Sequence, residues 1–172
     1  LIKKGNKSES SVKMPLPLPE IIKAPVQDKE AREMSADEQA KIQPLLIGKT
    51  ADCMDDQLAK KWSIARLNKK YSLVLVPCYM GAYNSAEMYF VVDHTSESAP
   101  ILLTDMANYY EDGRIGYSMK GRGLGDCWSL KEWVWDGQAF VVSSAQTTGR
   151  CAMIQAGGAW DLPTIKSNVV TR

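Results

Sequence analysis

The chain has 172 residues, 45% of them hydrophobic, with 21 basic against 20 acidic side chains and a formal net charge of +1 at pH 7. That length and apolar content describe one globular domain, or two small ones, with enough chain to bury a core. The near-neutral charge argues against nucleic acid, and the lack of an apolar run of about eighteen residues argues against a membrane-spanning helix.

No charged stretch followed by an apolar one marks a signal peptide, and the start at Leu1 suggests a processed or truncated product. Residues 1–34 read as a polar, proline-containing extended segment or linker. Within it, Met14–Pro19 (MPLPLP) favours polyproline II, which suits a spacer or a peptide ligand. Ser35-Ala36-Asp37-Glu38 is a capping box, so a helix should begin there and end near Pro44. A second short helix is expected over Asp52–Lys61, with Leu58 and Ala59 inward.

From Trp62 the periodicity changes to that of strands. Trp62–Leu67 and Tyr71–Tyr79 should form a hairpin around Asn68-Lys69-Lys70, the second run apolar enough for a central strand with Pro77 near its end. Met80–Ala86 reads as a loop, and Met88–Asp93 and Ile101–Met106 as further strands. Tyr109–Glu111 and Arg114–Tyr117 flank an Asp112-Gly113 turn that sets Glu111 against Arg114. Lys120–Phe140 packs a glycine-rich turn, a cysteine and another Asp-Gly hairpin into one stretch. A two-residue turn at Asp136-Gly137 would place Trp135 opposite Gln138 and Trp133 opposite Phe140. Trp133, Trp135 and Phe140 would then share a core face, with Glu132 outside. Gln138–Ala145 is the return strand, 149–158 a loop, and 165–172 a tail.

Cys53, Cys78, Cys127 and Cys151 form no C-x-x-C pair and have only His94 for company, so neither a zinc site nor any cofactor is supported. An even count in this pattern favours disulfides and an oxidising compartment, periplasmic or secreted. Of three pairings, Cys53 with Cys78 and Cys127 with Cys151 are preferred, each closing a loop that stabilises by roughly 3 kcal/mol in the chain-entropy model.

The glycine-rich turn GRGLGD, with Lys120 and Arg122, reads first as a structural turn locked by Cys127 and second as an anion cradle. Asp126 could accept amides within it. No strand-to-helix context or lysine-serine pair makes it a phosphate-binding loop. His94 lies in a loop, and no nucleophile elbow accompanies it. Asp105, Glu111 and Asp112 are the carboxylates available for glycoside cleavage, which requires a distance that sequence lacks. Tyr79, Tyr83, Tyr89, Tyr109, Tyr110, Tyr117, Trp128 and Trp160 exceed a small core's needs, so some could form a strip for sugar rings or a protein partner. The candidate binding residues are Tyr83, Asn84, Lys120, Arg122, Asp126 and Trp128. No catalytic residue is assigned.

PCYMGAYN (77–84), KGRGLGDCW (120–128), WVWDGQAF (133–140), Cys151 and the closing WDLPT together resemble an exported Gram-negative family, domain of unknown function 1176. The resemblance covers Cys53 to Thr164, with Trp128 standing where the family pattern has glycine. It implies a longer parent with a signal peptide and a further N-terminal portion, of which Leu1–Lys7 would be the tail. It supplies no catalytic residue. The expectation is an α+β fold, mainly antiparallel sheet or sandwich, with one or two short helices near the N-terminal side and a single stapled domain over 35–164. The expected function is a non-catalytic periplasmic binding module for envelope glycan or another periplasmic protein. The alternatives are an envelope hydrolase using carboxylates near GRGLGD and a structural half that completes a fold with the missing N-terminal portion.

Overall fold

The structure, a computed structural model, describes residues 16–96 and 98–171. The expectations for 1–13, and the first two residues of the MPLPLP run, lie outside them. Among the described residues, twelve strands and two helices follow in order: β1 (Glu20–Lys23), β2 (Arg32–Glu33), α1 (Ala36–Leu46), α2 (Asp55–Leu58), β3 (Ser63–Arg66), β4 (Tyr71–Met80), β5 (Ser85–Asp93), β6 (Ile101–Ala107), β7 (Tyr109–Glu111), β8 (Arg114–Lys120), β9 (Trp128–Trp135), β10 (Phe140–Thr147), β11 (Leu162–Lys166) and β12 (Asn168–Thr171). One antiparallel sheet runs β2-β3-β4-β5-β6, the other β11-β10-β9-β8-β7, and β1 pairs with β12 in a parallel ribbon. No helix among the described residues is long and apolar enough to cross a membrane.

The first sheet is the middle layer, and β4 shows why. Ser72 through Val76 are all buried because both faces of the strand are covered. Val74 and Val76 join Trp62, Phe90 and Leu46 beneath the helices. Leu73 and Leu75 point the other way, into a cluster with Ile115, Trp133, Trp135 and Phe140 of the second sheet. The mainly antiparallel α+β expectation is therefore met.

α1 starts on the expected capping box, with Glu38 N donating to Ser35 Oγ at 3.2 Å and Ser35 N to Glu38 Oε2 at 2.8 Å. It continues two residues past Pro44, since the fully buried Leu46 anchors the last turn. The second helix shrinks to one turn, Asp55–Leu58, between a tethered Cys53 and the buried Trp62. Both disulfides form with the preferred pairing, Cys53–Cys78 and Cys127–Cys151. On β4 the extra residue of a bulge between Pro77 and Tyr79 is Cys78, which turns it toward Cys53.

Three expectations fail. The linker over 1–34 does not hold from Glu20 onward. Ile21 and Lys23 are buried, the Lys23 ammonium donates to Asp112 Oδ2 at 2.7 Å, and 24–29 is tied to 66, 67, 112 and 135 by backbone hydrogen bonds. The tail at 165–172 is likewise structured, as the end of β11 and as β12 against β1. The second Asp-Gly hairpin also has a different register. Phe140 lies opposite Trp135 and Val142 opposite Trp133, with four residues in the loop. A shift of two residues preserves side-chain parity, so Trp133, Trp135 and Phe140 still share the buried face. Glu111 does face Arg114 in the β7–β8 register, but Arg114 pairs with Glu132 at 2.8 Å instead. Glu132 is therefore held in a polar network with Arg114, Tyr109 and Ser143.

Candidate functional site

β7 is only three residues long, so β8 outruns its partner on that edge. Two asparagine carboxamides stand in for the missing strand. Asn108 donates to Ser118 O and accepts from Ser118 N, at 3.1 and 3.2 Å. Asn84 does the same at Lys120, at 2.9 Å in both directions. A carboxamide carries the same donor and acceptor as a peptide group, so it can extend the ladder by one rung. The consequence is that the GAYN loop is latched to the entrance of the GRGLGD turn.

The turn closes on itself. Gly121 N donates to Cys127 O at 2.9 Å and Gly125 N to Arg122 O at 3.0 Å. Gly121 lies so close to the Cys127–Cys151 disulfide that an added Cβ would sit 2.7 and 2.9 Å from the two sulfurs, which makes glycine necessary there. Arg122 forks onto Asp126, with Nε to Oδ1 at 2.8 Å and the terminal nitrogen to Oδ2 at 2.5 Å. Met153 N also donates to Asp126 Oδ2, at 2.6 Å. Arg122 first, then that amide, hold the Asp126 carboxyl well below the usual carboxylate range. Two of the turn's amides and its arginine thus point inward. That is a structural turn, which removes the support for an anion cradle at Arg122.

What remains open is aromatic. Tyr83 is 47% exposed, and its ring lies over Gly123, 3.6 Å from where a Cβ would be. Trp128 is half-buried, with its indole N–H donating to Gly125 O at 2.9 Å and the Lys120 ammonium 5.4 Å from the ring centre. Tyr83, Asn84, Trp128 and Met80 line a shallow concavity of about 440 Å³. Through Met80, Ser85 and Asn108 it joins a second of about 230 Å³, lined also by Gln57, Lys60, Tyr79 and Glu87. All six sequence candidates therefore converge on one rim, Asn84, Arg122 and Asp126 as its scaffold and Tyr83, Lys120 and Trp128 as its face.

Glu87 was not singled out in the sequence. Burial pushes its carboxyl up, partly offset by the Tyr89 hydroxyl donating to Oε2 at 3.2 Å. An acidic residue alternating with Met88 and Phe90 in a strand was the available signal. The other aromatics divide. Tyr89 is core, Tyr110 donates to Asp28 O, Tyr109 to Glu132, and Trp160, 62% exposed, leans on Gly149.

Several of the groups named for hydrolysis are engaged elsewhere. The turn's one carboxylate is bound to Arg122, and Asp112 is bound to Lys23. His94 Nε2 meets Ser72 Oγ at 2.8 Å, yet Ser72 is 1% exposed and Asp93 serves Thr95 and Lys70 rather than the imidazole. An attacking hydroxyl must be reachable and its histidine oriented by an acid. Asp126, Cys127 and Cys151 lie together, but both sulfurs are spent in the disulfide and are unfit as thiolate ligands.

A family described as protein of unknown function (DUF1176) matches residues 1–167, a wider span than the Cys53–Thr164 on which the motif resemblance rests. No curated protein and no solved structure matches the chain.

Proposed function

The chain belongs to the DUF1176 family, and from that premise we propose a non-catalytic binding module of an oxidising extracytoplasmic compartment, with envelope glycan as its ligand. One observation carries the reading: the Asn84 latch fixes an exposed tyrosine and a half-buried tryptophan beside a lysine on a rigid rim. Sugar rings stack their C–H faces on aromatic rings, and a few fixed polar groups set orientation. Asn84 and the raised carboxyl of Glu87 supply such groups along the joined concavities, and the Lys120 ammonium adds one beside Trp128. Two disulfides support the compartment, since such bonds persist where the surroundings are oxidising.

The test is co-sedimentation of the full chain with purified peptidoglycan. Wild type should be retained, and Tyr83→Ala should lose about tenfold or more in apparent affinity, as for an aromatic anchor in a binding face. Tyr83 is 47% exposed, so an unchanged melting temperature separates lost binding from lost folding. Equal retention of both proteins, or none for wild type, overturns the reading.

A further inference from the structure

β4 has a second concavity at its other end. From Ser72 to Met80 the strand runs roughly 26 Å at 3.3 Å per residue. Register sets Ser72 across from Arg66 on β3 and from Val92 on β5, on the same face as Val74 and Val76. α1 passes over that face and presents Glu38, Lys41 and Ile42, which its periodicity brings to one side. Together with Ile64, Asp28, Arg32 and His94 these enclose about 260 Å³.

The charges of this pocket do not cancel. Arg32 donates two hydrogen bonds to Glu38, at 2.6 and 2.9 Å, and Arg32 followed by the Ser35 amide draws the Glu38 carboxyl down to about 2. That pair is ionised and internally neutral. Asp28 Oδ2 accepts the backbone N–H of Arg66 at 2.8 Å. Among the described residues, neither the Arg66 guanidinium nor the Lys41 ammonium has a hydrogen-bond or ion-pair partner. Three cations thus face two carboxylates. The floor is apolar at Ile42 and Ile64, and the buried Ser72 hydroxyl is held by His94 Nε2.

An uncompensated guanidinium and ammonium above an aliphatic floor suit a ligand with an anionic head and a short apolar body. The volume falls below the ~300–1,000 Å³ of drug-sized sites, which limits the body to a short chain. We propose that this pocket binds a short-chain aliphatic carboxylate, its head on Arg66 and Lys41 beside the Ser72–His94 pair and its tail on Ile42 and Ile64. This site shares no lining residue with the aromatic rim and does not depend on the glycan reading.

The experiment follows amide NMR shifts of the full chain during titration with sodium hexanoate, with hexanol and sodium sulfate in parallel. Hexanoate should give saturable shifts at 64–66, 72–74 and 92–94, with hexanol and sulfate both weaker. Arg66→Gln should weaken hexanoate about tenfold or more, as expected when one charge-assisted hydrogen bond is lost. Arg66→Lys should recover part of it. Arg66 is exposed, so these variants should melt like wild type; should they not, Lys41→Gln at an exposed helix position gives the same reading. Absence of saturable shifts overturns the proposal, as does hexanol or sulfate binding as strongly as hexanoate, or an unchanged constant in the glutamine variant.

Discussion

The chain uses the dipeptide Asp-Gly twice between strand-forming runs, at 112–113 and 136–137, and the two loops differ. Asp112 and Gly113 both take positive φ, 45° and 74°, and close the β7–β8 hairpin in two residues. Asp136 does not, and β9 and β10 are joined by four residues, with Asp136 N donating to Ala139 O at 3.0 Å. The carboxylates explain part of the difference. That of Asp112 is drawn away by the buried Lys23 ammonium. Asp136 keeps its own, and Oδ1 accepts from the amides of Gln138 and Ala139, both at 2.8 Å. An aspartate free to bond two and three residues ahead stabilises a wider turn. The core supplies the rest: the observed register sets Trp135 against Phe140 at 5.2 Å between ring centres, with Tyr71 at 5.7 Å on another side.

The strongest way to break this comparison is at that core. Trp135→Ala, at a fully buried site, should cost roughly 3–5 kcal/mol in denaturant unfolding. A loss under about 1 kcal/mol would mean the turn, rather than Trp135, sets the β9–β10 register. The first hairpin is tested by Asp112→Asn, which keeps a residue tolerant of positive φ and removes the charge facing Lys23. Lys23 is 5% exposed but the Asp112 side chain is 41% exposed, so solvent screening keeps the expected cost at about 1–2 kcal/mol. Its pH dependence has a definite sign. The hydrogen bond from Lys23 holds the Asp112 carboxyl below its usual range, so its stabilisation is present above the unfolded value near 3.9 and fades as pH falls through the folded one. Wild type should exceed the variant by a constant margin above about pH 5, and the margin should shrink in more acidic solution. A margin that is flat down to pH 2 would exclude the ion pair as its source.

The features legible in the sequence were those whose signal is local. The capping box at Ser35–Glu38, the cysteine spacing, and the apolar run of β4 each act within a short span or through a loop of known length, and each was met. The six rim residues are candidates because glycines and aromatics cluster in two loops. Their roles were less legible. Asp126 does accept an amide, that of Met153, but its pairing with Arg122 four residues earlier is not part of the sequence reading, because nothing in a glycine-rich stretch shows which way its side chains fold. The latch from Asn84 to Lys120 and the Ser72–His94 contact depend on sheet register, set by core packing across many residues. The parallel pairing of β1 with β12 joins segments about 150 residues apart, each too short and too polar to stand out as a strand. In β1 the lysine is one of the two buried positions, a pattern that reads as solvent until its aspartate is in view.

The smallest effect bears most directly on why one dipeptide makes two loops. Asp136 is exposed and its carboxylate accepts from two amides of its own turn, so Asp136→Ala should cost about 0.5–1.5 kcal/mol, the net worth of an exposed capping interaction. Should the core fix the register, the variant will keep the pairing of Phe140 with Trp135, visible as unchanged contacts between their side chains by NMR, and lose only that small stability. If instead the carboxylate holds the wider loop open, its removal will let Asp136's replacement and Gly137 contract toward a two-residue turn, bringing Phe140 opposite Trp133. Parity would survive that slip, so both outcomes leave the same face buried. The cross-strand contacts of Phe140 are therefore the readout that separates a register imposed by the turn from one imposed by the core.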